Sequence, residues 1–480
     1  MRERLLSQGV RLIGGAMLAA SLAGCAVFGN GDASLPANAP RVIGPELEKD
    51  RDHQRLLAAF GGEVRAPQLQ RLLTDVTNRL VMATDRPDEA YQVAILNSPV
   101  VNAFALPNGR LYVTRGLLAL ANDSAEVAAV LSHEIAHVTL RHASQRNEMQ
   151  ARSTLIKRVT ENVLNDAAQA AVVQNQSRSS LASFSRSQEL EADRMGVRVL
   201  ARAGFDPYGA SRFLTALGRS GSGGPATDAA GADMMASHPS TNERTSLALQ
   251  AARRVSAPGI GEADRAAYLF ALDGIAFGDD PADGVVKGRR FVHARLGVAF
   301  EAPEGFTLEN TSQAVLGSSQ DGARRLLFDA ADTPSGQSLE DVLRSTWNDT
   351  IEPGSLTTTT IKGLPVATAS STGKEWLFRL SAIRIGNTTY RLIMAVRNGT
   401  GDLEGMFQRT LNTVRQVHSD EARMIRPLTL QMVTAQPGDT AQRLAERMPV
   451  DRALERFLLI NGLEKNGPLK PGERYKVIVE

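Results

Sequence analysis

Residues 133–137 read His133-Glu134-Ile135-Ala136-His137, and nothing else in the 480-residue chain limits the fold so tightly. On a helix, two imidazoles four residues apart can share a metal ion. There they stand about 40° apart around the axis and one turn from each other. Upstream, Asp123 to Glu126 has the form of a capping box and an apolar run follows, so a helix is expected to start there. Glu134 lies beside the imidazole face, placed to take a proton from water activated at the metal. With only seven His in the chain, a chance match is roughly a one-in-a-hundred event. His142, nine residues after His133, is expected on the opposite face of the helix and is read as structural. His53, His293 and His418 have no partner at metal spacing.

Two His need a third ligand. Ser187-Gln188-Glu189-Leu190-Glu191-Ala192-Asp193 opens or continues a helix that ends near Gly204. Glu189 and Asp193 are four apart and share a face. That spacing suits a carboxylate ligand beside an Asp that accepts the free ring N–H of a metal-bound His and fixes its tautomer. Glu191 lies about 200° around the helix from Glu189, so the two cannot both face the metal, and Glu191 is the alternative ligand.

Composition narrows the class. Lys and Arg number 54 against 52 Asp and Glu, a formal charge of +2. That balance argues against a nucleic-acid partner held by phosphate contacts. Two Trp, six Tyr and 15 Phe are few for a base-stacking platform. The single cysteine, Cys25, excludes an internal disulfide framework and a Cys-rich metal site.

Arg2, Arg4 and Arg11 precede a short apolar stretch, Leu12 to Gly24, in the manner of a secretory signal. It ends Leu22-Ala23-Gly24-Cys25, which resembles a bacterial lipobox. Residues 1–24 are therefore expected to be a lipoprotein signal peptide, and Cys25 the lipidated residue. Ala26 follows the Cys; by resemblance to enterobacterial lipoproteins this implies a periplasmic protein held at the outer membrane by acyl chains. Residues 25–45 read as a Gly/Pro/Ala/Asn-rich tether.

From 46 to 255 the pattern is mainly helical, with strand-like runs at Gln92 to Leu96 and Arg110 to Thr114 and a hairpin signal at Asn108-Gly109. Residues 162–180 suit a helical lid, and Gly218 to Gly231 a loop. From 258 to 420 an α/β module is expected. Its strands include Leu296 to Phe300 and the pair around Gly386-Asn387, and its helices are Ser338 to Trp347 and Asp402 to Val417. Residues 427–480 are a short final segment with turn signals at Pro437-Gly438-Asp439 and Pro471-Gly472.

Residues 46–255 resemble the zinc metallopeptidases that include HtpX, the CaaX prenyl proteases and the BepA-type enzymes. The resemblance rests on Val101 to Pro107, His133 to His137, Glu189 to Asp193, and His238-Pro239 with Arg244. It implies a gluzincin-type endopeptidase with one zinc ion held by His133, His137 and Glu189. Asp193 would stand behind the ligands, and a peptide substrate would align along Asn102, Ala103 and Phe104. It also implies that His238 can approach the zinc and fill its open position, and Arg244 is a candidate to hold the oxyanion or the loop. The 258–420 module weakly resembles PsbP-like folds. Residues 427–480 resemble a β-α-α-β LysM domain, in which Gly438, Asp439, Thr440 and Asn461 would face peptidoglycan chains.

The expected architecture is α+β: a mainly helical zincin-type peptidase domain with a small sheet, an α/β module and a LysM-like domain. The expected activity is zinc-dependent cleavage of periplasmic or outer-membrane proteins, in envelope quality control. The contrasting reading is a non-proteolytic, chaperone-like scaffold between outer membrane and peptidoglycan. An intact Glu134 favours the enzyme, because a scaffold has no use for the base.

Overall fold

A small sheet and a bundle of helices form around the segment 67–221. Pro67 opens a helix, Pro67–Met82, whose Leu69, Leu73, Val76 and Leu80 recur at helical spacing and are buried. Three strands follow: β1 (Gln92–Leu96), β2 (Ala103–Ala105) and β3 (Arg110–Thr114), in the order β1-β3-β2. β1 runs parallel to β3 and β2 antiparallel to it, which leaves β2 at the sheet edge. The turn between β2 and β3 needs Gly109: its φ is 83°, and a Cβ there would stand 2.2 Å from the Ala90 carbonyl oxygen.

This computed structural model describes residues 51–145, 185–221, 238, 242–311, 314–331, 336–347, 350–465 and 467–480. The signal segment, Cys25, the tether and the 162–180 lid lie outside them.

The motif helix is Ser124–Thr139. Asp123 caps it, accepting from the Glu126 N–H at 2.8 Å, while Glu126 reaches back to the N–H of Asn122, one residue before the cap. Every residue from Ser124 to His137 is buried, as befits a helix packed on all sides. It contacts β2 and the helices Pro67–Met82, Arg186–Arg202 and Gly209–Gly221. The Arg186–Arg202 helix starts at a full capping box of Ser185 and Gln188. It comes close to the motif helix at Gly196, where a Cβ would lie 3.2 Å from the His133 nitrogen. The Gly209–Gly221 helix runs through Gly218, where a loop was expected. Buried Leu214 and Leu217 carry it on, and the Ser220 hydroxyl donates back to the Leu217 carbonyl.

The α/β module is built on a seven-stranded antiparallel sheet whose strands span residues 306–397. Trp376–Ile385 and Thr388–Arg397 form the expected pair around Gly386-Asn387. Alternation along the strands gives two buried faces. Val366 and Ile383 join one core with Phe407 and Leu411; Ala367 and Ala382 join the other with Val342 and Leu343. The expected Asp402 to Val417 helix is shorter, Leu403–Leu411. The chain then turns so that Arg415–Gln416 can pair with the strand Val298–Glu301, and Thr413 accepts the N–H of Glu301 through its hydroxyl. Leu296 precedes that strand and lies in a turn.

The chain leaves the peptidase unit at Ala276–Phe277 and returns beside the same point, since Leu428 pairs with Phe277 and Thr429 with Ala276. Residues 428–480 follow the order strand, helix, helix, strand: Leu428–Thr434, Ala441–Ala445, Ala453–Ile460 and Arg474–Val479. They share one hydrophobic core with the motif helix: Leu430, Phe457, Tyr475 and Ile478 belong to the same cluster as Leu131 and Ile135. Lys476 is fully buried and donates to the carbonyls of Ala119 at 2.8 Å and Ala121 at 2.7 Å, just before the motif helix begins. Burial pushes its pKa well below the usual lysine value.

Replacing Lys476 by Met strands two buried carbonyls and should cost about 1–3 kcal/mol. A thermal melt should show one lowered transition for peptidase and C-terminal segment together. Two separate transitions, with the motif helix melting as in wild type, would contradict the shared core.

Candidate metal centre

Four buried donors converge where the motif helix meets the Arg186–Arg202 helix. One atom each from His133, His137, Glu189 and His238 lies within 4.8 Å of the others. His133 Nε2 is 3.0 Å from His137 Nε2, 3.5 Å from Glu189 Oε2 and 3.3 Å from His238 Nδ1. Glu189 Oε1 is 3.4 Å from His137 Nε2 and 2.9 Å from His238 Nδ1. Zinc binds such ligands at about 2.0–2.2 Å, so tetrahedral ligands stand about 3.3 Å apart. The donors are already spaced as the corners of a zinc site, and two His with a Glu are the donor types that zinc takes in catalytic sites.

The donors have support behind them. His133 turns Nδ1 to Asp193 Oδ1 at 3.0 Å. Arg244, from the helix Asn242–Val255, forks onto both Asp193 oxygens at 2.8 Å and places Nη1 2.7 Å from Glu189 Oε2. Arg244 thus binds the two carboxylates. Burial works against a charged His133, but Asp193 and Glu189 beside it outweigh that and raise its pKa to about 10. Burial also pushes Asp193 up, yet Arg244 and His133 hold it down at about 2. Glu189 is held below the usual carboxylate range: burial raises it, but His238, His133 and His137 prevail. With the imidazoles neutral, the form in which they bind a metal, ionised Glu134, Glu189 and Asp193 against Arg244 leave an excess of two negative charges, the charge that a divalent cation matches.

Glu134 is 2% exposed. Among the described residues its Oε1 has no hydrogen-bond partner, and the nearest ring nitrogen, His238 Nε2, is 3.9 Å away. Burial raises its pKa, which suits a group that takes up a proton. A cavity of about 30 Å³ beside His133 and His238, walled by Val130, Phe213 and Leu217, has room for about one water.

The structure brings together His133, Glu134, His137, Glu189, Asp193, His238 and Arg244. Asn102 to Phe104 lie at β2 and its entry, on the sheet edge beside the motif helix. Glu191 points away from the donors, its side chain 61% exposed. His142 does not lie on the far side. The helix stops at Thr139, and Arg141 adopts a left-handed φ of 56°. The chain folds back there, and His142 is fully buried with Nδ1 3.0 Å from His137 Nδ1. Counting helical turns past position 139 placed it wrongly.

In the C-terminal segment, Gly438 is exposed, Asp439 accepts the Gln436 N–H and Thr440 caps the next helix. Asn461 is not a surface residue. It is buried, donates to the Phe457 and Lys476 carbonyls and accepts the Lys476 N–H, so its amide is used up inside the fold.

A helix bearing His-Glu-x-x-His, closed by a Glu from a second helix with a buried base alongside, defines a metallopeptidase domain of the zincin class. Residues 67–252 match Peptidase family M48, and this part of the chain is an M48 zinc metallopeptidase domain. The chain is 36% identical over 163 residues to the mitochondrial metalloendopeptidase OMA1 of Arabidopsis thaliana, covering 34% of this chain and 32% of that protein. It is 29% identical over 195 residues to the beta-barrel assembly-enhancing protease of Escherichia coli K12, covering 39% and 40%. With the OMA1 metalloendopeptidase of Bos taurus it shares 33% identity over 130 residues, 25% of each chain. The chain thus spans well under half the length of these curated relatives.

Glu189→Gln should weaken zinc binding strongly in a chelator competition, and Glu191→Gln far less, because only Glu189 lies among the donors. Asp193→Asn should cost about 10- to 100-fold in affinity. Equal losses for the two Glu variants would refute the assignment of the third ligand.

Proposed function

We propose that this protein is a zinc-dependent endopeptidase acting on proteins of the bacterial envelope, in quality control of that compartment. The observation that carries the reading is the buried, unpaired Glu134 oxygen beside three convergent ligands, His133, His137 and Glu189. A zinc ion held by these three supplies Lewis acidity towards a water and a peptide carbonyl. Glu134 takes the water's proton at its free oxygen and hands it to the leaving amine. Asp193 and Arg244 keep His133 and Glu189 oriented through that cycle. Substrate backbone pairs with the open edge of β2 at Asn102, Ala103 and Phe104 and so lies along the motif helix.

His238 is proposed as a latch. Its Nδ1 stands among the ligand atoms, where it takes the position that water needs. The residue is a regulator of access and not an acid or base in the reaction.

Cys25 is proposed as the lipidated anchor at the outer membrane; among the described residues no helix is long and apolar enough to cross a membrane. Contact with peptidoglycan through the exposed loop at Gly438, Asp439 and Thr440 belongs to the same reading, without Asn461. The match to a beta-barrel assembly-enhancing protease supports the envelope as the place of action.

Glu134→Gln should abolish casein cleavage while zinc content stays at one per chain, because Gln keeps the shape but accepts no proton. Cleavage near the wild-type rate would refute the role of Glu134. His238→Ala should raise basal cleavage with zinc retained, since three ligands remain. A fall in cleavage at unchanged zinc would make His238 a participant in the reaction and end the latch proposal.

A further inference from the structure

His142 has a place at the metal centre that goes beyond its burial. The left-handed turn at Arg141 brings it back onto the face of His137 turned away from the ligand cluster. The two rings meet at 76° with centroids 4.9 Å apart, and the close approach is between nitrogens: Nδ1 to Nδ1, 3.0 Å. The other nitrogen of His142, Nε2, faces Glu191 Oε2 at 3.6 Å.

We infer that His142 is a positioning residue that fixes the tautomer and ring orientation of the zinc ligand His137, and that the negative charge of Glu191, 3.6 Å from His142 Nε2, favours a proton on that nitrogen. The proton logic allows one arrangement. His137 presents Nε2 to the other donors, so a metal there requires its proton on Nδ1. That N–H points at His142 Nδ1, which must then be the acceptor and carry no proton. The His142 proton therefore sits on Nε2, the atom facing the Glu191 carboxylate. His133 has a carboxylate directly behind it, in Asp193; His137 has one too, but one imidazole further out. A neutral ring is a weaker acceptor than a carboxylate, so the two ligand His differ in the electron density they offer the metal. Glu191, excluded as a ligand by its position, gains a role by the same geometry.

The inference rests on the metal-site reading, and one set of variants separates the two. Zinc affinity is measured by chelator competition for wild type, His142→Leu and His142→Asn, with cobalt(II) absorption spectra and thermal melts of the zinc-free proteins. His142→Leu leaves the buried His137 N–H unsatisfied and should lose about 10- to 100-fold in affinity, with an altered cobalt spectrum. Asn can place its side-chain oxygen near the former Nδ1 and should recover most of the loss and the wild-type spectrum. Glu191→Ala should lose less than His142→Leu, because water can take over the exposed carboxylate's place. Wild-type affinity in His142→Leu, or Asn performing no better than Leu at equal stability of the zinc-free proteins, would overturn the positioning role alone. A wild-type chain that takes up no zinc would overturn the metal reading and this inference together.

Discussion

Arg244 is the contact on which the centre depends. Asp193 and Glu189 sit one turn apart on a single helix, Glu189 buried and Asp193 partly so, and two ionised carboxylates cannot stay so close without compensation. One guanidinium meets both, with two donors on Asp193 and a third towards Glu189. The planar fork makes this possible where a lysine could reach only one of them well. The helix Asn242–Val255 therefore has to dock before the carboxylates can face His133 and His137. The negative charge that remains gives a divalent cation a thermodynamic reason to enter, and binding it stabilises the folded arrangement. Scaffold and metal site are in this sense one electrostatic unit.

Much of this unit was readable from residue spacing. The His pair, the base and the two carboxylates each lie four residues or fewer from a partner on a regular helix, where spacing determines direction. Legibility failed at the first irregular residue. Arg141, left-handed after the helix end, moved His142 from the expected far side to the back of His137. His238 and Arg244 come from beyond the paired helices, and periodicity has nothing to say about such partners; only likeness to a family pointed to them. The same limit explains Asn461, whose partners depend on a strand pairing fifteen residues away. In the α/β module the hairpin at Gly386-Asn387 was legible from its turn, while the end of the Leu403–Leu411 helix was decided by a strand more than a hundred residues earlier.

The peptidase unit is discontinuous. Its core takes residues from before and after the 285–417 portion of the chain, which leaves and returns through adjacent, hydrogen-bonded residues. Such an exit imposes little strain on the host, because its two ends already lie side by side. The inserted sheet has its own cores, and among the described residues none of its side chains joins the donor cluster.

Lys476 adds a matter of timing to this topology. A nascent chain emerges from its N-terminal side, so the motif helix exists long before the lysine that serves the two carbonyls at its entrance, 357 and 355 residues further on. Until that strand arrives, the segment leading into His133 lacks its last donors and the core lacks Tyr475 and Ile478. Contacts of such sequence separation form late. The order of synthesis thus delays the finished donor cluster until residue 476 has been made, 339 residues after His137.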